Sequence, residues 1–310
     1  MGIWIDTDMG FDDIAAIMVA AHAGLGVDGV SLVFGNAPIE RVRGNAAGAC
    51  AAFVWPFPVH AGRAFPVMGR LETAQDVLGN EGMPSTGLHL PDMPDTFHDD
   101  AFEALCRWLE KSDGDARRIL AMGPLTNIAA VALARPDLAA KITDLTWMGG
   151  SLTAGNQTAS AEFNAWADPE AVAIVLAHQI PLRMVDLDIC RKVLCFPDDV
   201  APIRAAGGRN ATLVADLLAG FVEIATSRGR PAMALYDAVA AFAFAYPDHV
   251  TWREARIDME TAGTVTRGRT VVETRAAKVS GFNGSYAAEI DVEKARDTIL
   301  ETLKAEATWS

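Results

Sequence analysis

Asp6-Thr7-Asp8-Met9-Gly10-Phe11-Asp12-Asp13 joins a short apolar run, Ile3-Trp4-Ile5, to an apolar stretch of helical character from Ile14 to Ala21. A strand, a glycine-bearing turn and a helix in that order open a β-α-β unit, from which parallel sheets are built. The turn is crowded with carboxylates. Like charges a few ångströms apart raise one another's pKa, so the cluster is costly unless a cation or a cationic ligand offsets it. Gly10 permits a tight backbone, and the free N–H groups and positive dipole end of the helix favour Asp12 and Asp13. Ligands bind at the carboxyl ends of strands in an open α/β sheet, which puts the cluster at the mouth of a site. No Cys or His lies in the turn, so the donors are hard oxygens, which select Ca²⁺ or Mg²⁺ over zinc or copper and suit Ca²⁺ best. Asp237, which starts another helix after a loop, is a candidate further carboxylate. The plainer alternative is that Asp12 and Asp13 only cap a helix while Asp6 and Asp8 are solvated.

The rest of the chain continues the alternation. Residues 30–34 read as a second buried strand, ending in Gly35-Asn36-Ala37-Pro38 before a helix over 41–53. Residues 61–97 interrupt the rhythm with Gly, Pro and polar residues, and a loop of that length is functional or mobile, a candidate lid. A helix near 100–110 and a strand at 118–122 follow, then Gly123-Pro124-Leu125-Thr126-Asn127 opens a helix with Pro in its first turn. A strand at 145–148 runs into a polar loop holding Asn156, Glu162, Phe163 and Asn164, and Asp168-Pro169-Glu170 caps the next helix. After a strand at 182–186, the helical stretches 197–206 and 211–227 are expected to pack rather than catalyse. Tyr236-Asp237 opens a helix over 238–245. The tail alternates in strand fashion at 264–266 and 270–272, read as a hairpin, before an amphipathic helix over 292–303.

With 310 residues, 51% of them hydrophobic, and no internal linker, residues 1–310 are expected to form one α/β domain. Its form would be a single open, mostly parallel sheet with helices on both faces, a Rossmann-like core, plus a small C-terminal hairpin. A net charge of −14 without a Lys/Arg run disfavours nucleic-acid and anionic-membrane partners, and a small neutral or cationic ligand fits better. Cys50, Cys106, Cys190 and Cys195 lack CxxC or zinc-like spacing and read as unpaired thiols in a reducing compartment, a Cys190–Cys195 disulfide being the minor alternative. The first strand begins without a basic leader and no apolar run reaches membrane-spanning length, so a cytoplasmic location is expected.

The string from Asp6 to Ile17 resembles the N-terminal signature of the inosine-uridine-preferring nucleoside hydrolases, whose usual form has Pro where Met9 stands. The resemblance extends over Gly35-Asn36, Gly123-Pro124-Leu125-Thr126-Asn127-Ile128-Ala129, Met148-Gly149-Gly150, and the block from Ala161-Glu162-Phe163-Asn164 through Ala167-Asp168-Pro169-Glu170-Ala171. It implies hydrolysis of the N-glycosidic bond of ribonucleosides to free base and ribose, a place in nucleoside salvage, and a homodimer or homotetramer. It further implies that Asp8, Asp13, Asp237 and the backbone carbonyl of Met122 hold a Ca²⁺ that also binds a water and the ribose 2′ and 3′ hydroxyls, Asp8 deprotonating that water. Asp12, Asn36, Met148, Asn156, Glu162 and Asn164 would hold the ribose, and amides and carboxylates suit vicinal hydroxyls. Cleavage develops an oxocarbenium-like sugar, whose positive charge an acidic pocket stabilises more in the transition state than in the ground state.

The departure concerns the leaving group. Tyr236 stands where the best-studied branch has a His that assists base departure, and Met83 matches a second family His. Tyrosine is a poor acid at neutral pH, but its hydroxyl can hydrogen-bond a ring nitrogen and its ring can stack on a base. The purine-specific branch has an aromatic residue, Trp, at the same position, so a purine-leaning preference is expected, with Tyr236 catalytic. The alternatives are that Tyr236 only packs and another group acts as acid, with His89 and His98 as candidates. Two rival functions remain: a phosphohydrolase of the haloacid-dehalogenase type, because Asp6-Thr7-Asp8 mimics its nucleophile turn, and a catalytically degenerate nucleoside-binding protein.

Overall fold

β-Branched and aromatic residues alternate faces along the first strand, and the alternation sorts the core. Ile3 and Ile5 enter one apolar cluster while Trp4 enters another on the opposite side of the sheet. Leu120 against Ile119 and Ala121, and Met148 against Leu145 and Trp147, divide in the same way. A sheet buried on both faces needs helices on both, and this chain supplies them. The structure, a computed structural model, describes residues 2–97, 100–111 and 116–309.

The strands are β1 (Gly2–Thr7), β2 (Gly26–Leu32), β3 (Val59–Ala61), β4 (Arg117–Ala121), β5 (Ile142–Met148), β6 (Leu182–Val185), β7 (Leu194–Cys195), β8 (Met233–Ala234), β9 (Val250–Met259), β10 (Thr270–Glu273) and β11 (Gly284–Ile290). Nine of them form one sheet in the order β10-β9-β11-β6-β5-β4-β1-β2-β3. All pairings from β11 to β3 are parallel, whereas β9 runs antiparallel to both β11 and β10. The expected mostly parallel α/β sheet with a C-terminal hairpin is therefore what the chain forms. β7 and β8 pair separately. The winding direction reverses between β1 and β4, and at such a switch point the connections leave in opposite directions and open a crevice.

Several expected boundaries shift. Residues 264–266 lie in a turn, not a strand: the Glu260 carboxylate accepts the Ala262 and Gly263 N–H groups, and Gly268 follows in the left-handed region at φ 81°. The hairpin instead pairs β9 with β10, and β11 ties it to the main sheet. The helix after β4 is Thr126–Ala134, so Pro124 precedes its first turn instead of occupying it. Asp168 caps Pro169–Ala177 as expected, accepting from the Ala171 N–H at 3.0 Å with Pro169 in the first turn. Residues 62–97 hold one short helix, Gln75–Leu78, and are pinned to the body. Asp168 accepts from the Val67 N–H at 2.9 Å, and Asp216 accepts from the Leu88 N–H at 2.7 Å. All four cysteines are free. Among the described residues no helix is long and apolar enough to cross a membrane.

Candidate active site

The two helices that carry acidic first turns, Phe11–His22 and Tyr236–Ala245, pack against each other on one face of the sheet. Their N-termini meet beside the end of β1, so Asp12, Asp13 and Asp237 each bring one carboxylate oxygen within 4.8 Å of the others. Two positive dipole ends face the same point and partly offset the charge. Asp8, just past the end of β1 and buried like Asp13 and Asp237, lies beside this trio and is not one of it, so the structure puts Asp12 where Asp8 was expected in the tightest group. Close approach explains two glycines: a Cβ on Gly35 would lie 1.9 Å from an Asp8 oxygen, and one on Gly10 would lie 2.5 Å from the Asn36 amide nitrogen.

Short bonds fix the acids. Asp8 accepts from the Asn36 backbone N–H at 2.8 Å and from its Nδ2 at 3.0 Å, and the same Nδ2 reaches Asp13 at 3.2 Å. Asp13 also accepts from Thr7 Oγ1 at 2.5 Å and from the Gly10 N–H at 2.7 Å. Met9 sits in the left-handed region at φ 41° with its N–H donating to Thr7 Oγ1 at 3.0 Å. Asn36, expected to hold ribose, thus spends both amide hydrogens on organising carboxylates, and only its carbonyl oxygen remains for a ligand.

Burial dominates the proton affinities. It pushes Asp12 up to about 8 with help from the charge of Asp13, and Asp13 up to about 6. Burial and the neighbouring acids hold Asp8 and Asp237 well above the usual carboxylate range, and burial brings Glu162 to about 7. Ionising the whole cluster therefore calls for an offsetting positive charge. A donor set made only of hard oxygens, strained by its own repulsion, fits a divalent cation such as Ca²⁺.

A cavity of about 480 Å³ opens above the cluster, within the range of small-molecule sites. Asp8, Asp12, Asn36, Met122, Met148, Asn156, Glu162, Asn164, Tyr236 and Asp237 all line it, so the sequence expectations converge on one place, with Asp13 directly behind. The polar loop after β5 is built to present amides. Glu162 caps the short helix Phe163–Ala167, accepting from the Asn164 and Ala165 N–H groups, and takes the Gly150 N–H at 2.7 Å. Asn164 donates its amide hydrogens to the carbonyls of Met122 at 2.8 Å and Met148 at 3.0 Å, which leaves its Oδ1 for a ligand. Asn156 accepts from the Phe163 N–H at 2.9 Å, which leaves its Nδ2.

The alternatives of a histidine acid at His89 and of a phosphohydrolase nucleophile fail on geometry. Met83 is buried in the core and His89 is exposed away from the cavity, while His98 lies outside the described residues. Among the described residues no histidine lines the cavity. Asp6 is fully buried, accepting from Ser31 Oγ and from Asn127 Nδ2 at 2.7 Å. It does not reach the cavity, so it cannot serve as the nucleophile of a phosphohydrolase. Residues 211–227 do more than pack, since Phe221 and Ile224 form part of the cavity wall. Arg191, Arg228 and Arg230 also line it and were missed. The signal for two of them was the basic Arg228-Gly229-Arg230 just before Tyr236 in an otherwise acidic chain.

Residues 3–297 match the family described as inosine-uridine preferring nucleoside hydrolase. The pyrimidine-specific ribonucleoside hydrolase RihB of Escherichia coli is 31% identical over 274 residues, covering 87% of each chain. Among solved structures, a purine-preferring ribonucleoside hydrolase from Gardnerella vaginalis superposes with a TM-score of 0.90 at 22% identity, covering 99% of each chain. A plant nucleoside hydrolase superposes with a TM-score of 0.89 at 24% identity, covering 98% of this chain and 99% of its own. These two share the fold.

Proposed function

The chain belongs to the inosine-uridine preferring nucleoside hydrolase family and is a hydrolase of N-glycosyl compounds; we propose that it cleaves ribonucleosides to free base and ribose with Asp8 as general base. The observation that carries this reading is the convergence of Asp12, Asp13 and Asp237 from two helix starts, with Asp8 beside them, at a cavity of about 480 Å³. Asp8, Asp13 and Asp237, with the Met122 carbonyl, would hold a Ca²⁺, and Asp12 closes the cluster. When bound, such a cation supplies Lewis acidity and a fixed positive charge that keeps the acids ionised.

The residues do the rest. Asp8, held by two bonds from Asn36, takes a proton from the attacking water. Asp12, Asn36, Met148, Asn156, Glu162 and Asn164 surround the sugar, Asn164 through its Oδ1 and Asn156 through its Nδ2. Their negative and partially negative oxygens stabilise the oxocarbenium-like sugar as charge develops. Tyr236, Phe221 and Ile224 give the cavity aromatic and apolar surface on which a base can pack, which supports a purine lean. The pyrimidine-specific relative at 31% identity supports a second reading, a preference for uridine and cytidine. A nucleoside panel assayed for free ribose, with and without chelator, tests both. Ribose released only without chelator is the expected result, and the ranking of bases decides the preference. Nucleoside binding without ribose release would leave a degenerate binding protein.

A further inference from the structure

A hydrolase that breaks a C–N bond must deal with the electrons that stay on the base. No histidine lines this cavity among the described residues, so the usual proton donor is missing. The same wall carries guanidiniums. Arg191 follows the short helix after β6 and is set by two bonds, to the Ala154 and Gly155 carbonyls at 3.3 Å each, beside Asn156. Arg230 lies in the segment leading to β8 and the Tyr236 helix. Both line the cavity with Tyr236, and among the described residues neither has a carboxylate within salt-bridge range. Arg230 hydrogen-bonds the Tyr236 side chain, and Arg191 is close enough for its charge to act on it. In a chain of net charge −14, two guanidiniums without a carboxylate partner, lining an acid-floored cavity, call for an anionic counterpart.

We propose that Arg191 and Arg230, flanking Tyr236, are the leaving-group half of the site and offset the negative charge that the departing base acquires. The inference rests on the nucleoside hydrolase reading. As the C1′–N bond breaks, its electron pair passes to the base. The attacking water gives its oxygen to C1′ and one proton to Asp8. The base departs as an anion, accepting a hydrogen bond from the Tyr236 hydroxyl in the field of the two guanidiniums. Asp8 then loses its proton to solvent and the base gains one from solvent, so ribose and neutral base are the products. Arginine stays charged at any working pH, so it supplies charge and not a proton.

The alternative role for these arginines is to balance the acidic floor, and leaving-group dependence separates the two. The probes are uridine and inosine, whose bases leave poorly, and p-nitrophenyl β-D-ribofuranoside, whose phenolate leaves unaided. A preorganised donor to developing charge is worth ~10²–10³ in rate when buried, and these side chains are exposed. Arg191→Gln and Arg230→Gln should therefore each lower kcat/KM on the nucleosides ~10- to 100-fold, while the ratio of nucleoside to p-nitrophenyl rates falls at least ~10-fold. Arg230→Lys, which keeps the charge, should recover most of the loss. The p-nitrophenyl rate also reports that each variant is folded. Equal losses on all three substrates, or no loss in the double variant, overturn the proposal. Wild-type protein that releases ribose from none of them overturns the hydrolase reading itself.

Discussion

Stripping divalent cations with a chelator and titrating Ca²⁺ back at several pH values perturbs the acid cluster directly. Without a cation, Asp12 titrates at about 8 and Asp13 at about 6, with Asp8 and Asp237 well above the usual range. These folded-state values exceed the unfolded reference of about 4, so the folded chain holds protons that the unfolded chain has shed. The cluster's contribution to stability is thus fully present below about pH 4 and is lost as the pH rises through the folded values, between about pH 4 and 8. A bound dication reverses the balance, because it favours the ionised acids. At pH 7 a carboxyl titrating at about 8 is roughly nine-tenths protonated, so binding releases about one proton from Asp12 alone. Affinity should then rise about tenfold or more from pH 6 to 7. Free Ca²⁺ at about 100 times Kd stabilises by about 2.7 kcal/mol, which is about 4 °C in Tm for a chain of this length. Calorimetry in two buffers of different ionisation enthalpy counts the protons, and thermal melts with chelator or Ca²⁺ at pH 6 and 8 measure the stability. A Ca²⁺-induced gain equal at both pH values, with no proton released, refutes the reasoning.

Asp8→Asn should keep the fold and lower kcat by ~10²–10⁴, the usual worth of a positioned general base; ribose release at saturating nucleoside measures it, and a loss below tenfold would remove Asp8 from that role. Met9→Pro puts back the residue that the family's usual form carries, yet proline cannot adopt φ 41° and lacks the N–H that Met9 donates to Thr7, so in this turn it should destabilise by more than about 1 kcal/mol; a melt showing an unchanged Tm would mean that the turn takes up a proline-compatible form at no cost.

The sequence revealed most where the signal is local. The acid turn, the Asp168-Pro169 cap and the β-α-β alternation each reside in a few consecutive residues, and the fold follows them. The hairpin was harder. Residues 264–266 satisfy strand propensity, yet Glu260 and two flanking glycines bend them into a turn, and β11 carries too little alternation to stand out. Asn36 lines the cavity, but its amide is committed to Asp8 and Asp13, a partnership that only tertiary geometry reveals. Arg191, Phe221 and Ile224 escaped for the same reason. A helix read alone shows which face is apolar, not that one rim of that face opens onto a cavity.

The meeting of Asp12 and Asp13 with Asp237 joins the beginning of the chain to a helix near its end. A polypeptide emerging from the ribosome would therefore carry only part of the proposed cation site until more than three-quarters of it has been synthesised. On the proposed reading, tight ion uptake would belong to the finished molecule alone, and a fragment that stops short of the Tyr236 helix would be left with mutually repelling acids and without the carboxylate that completes their grip on a cation.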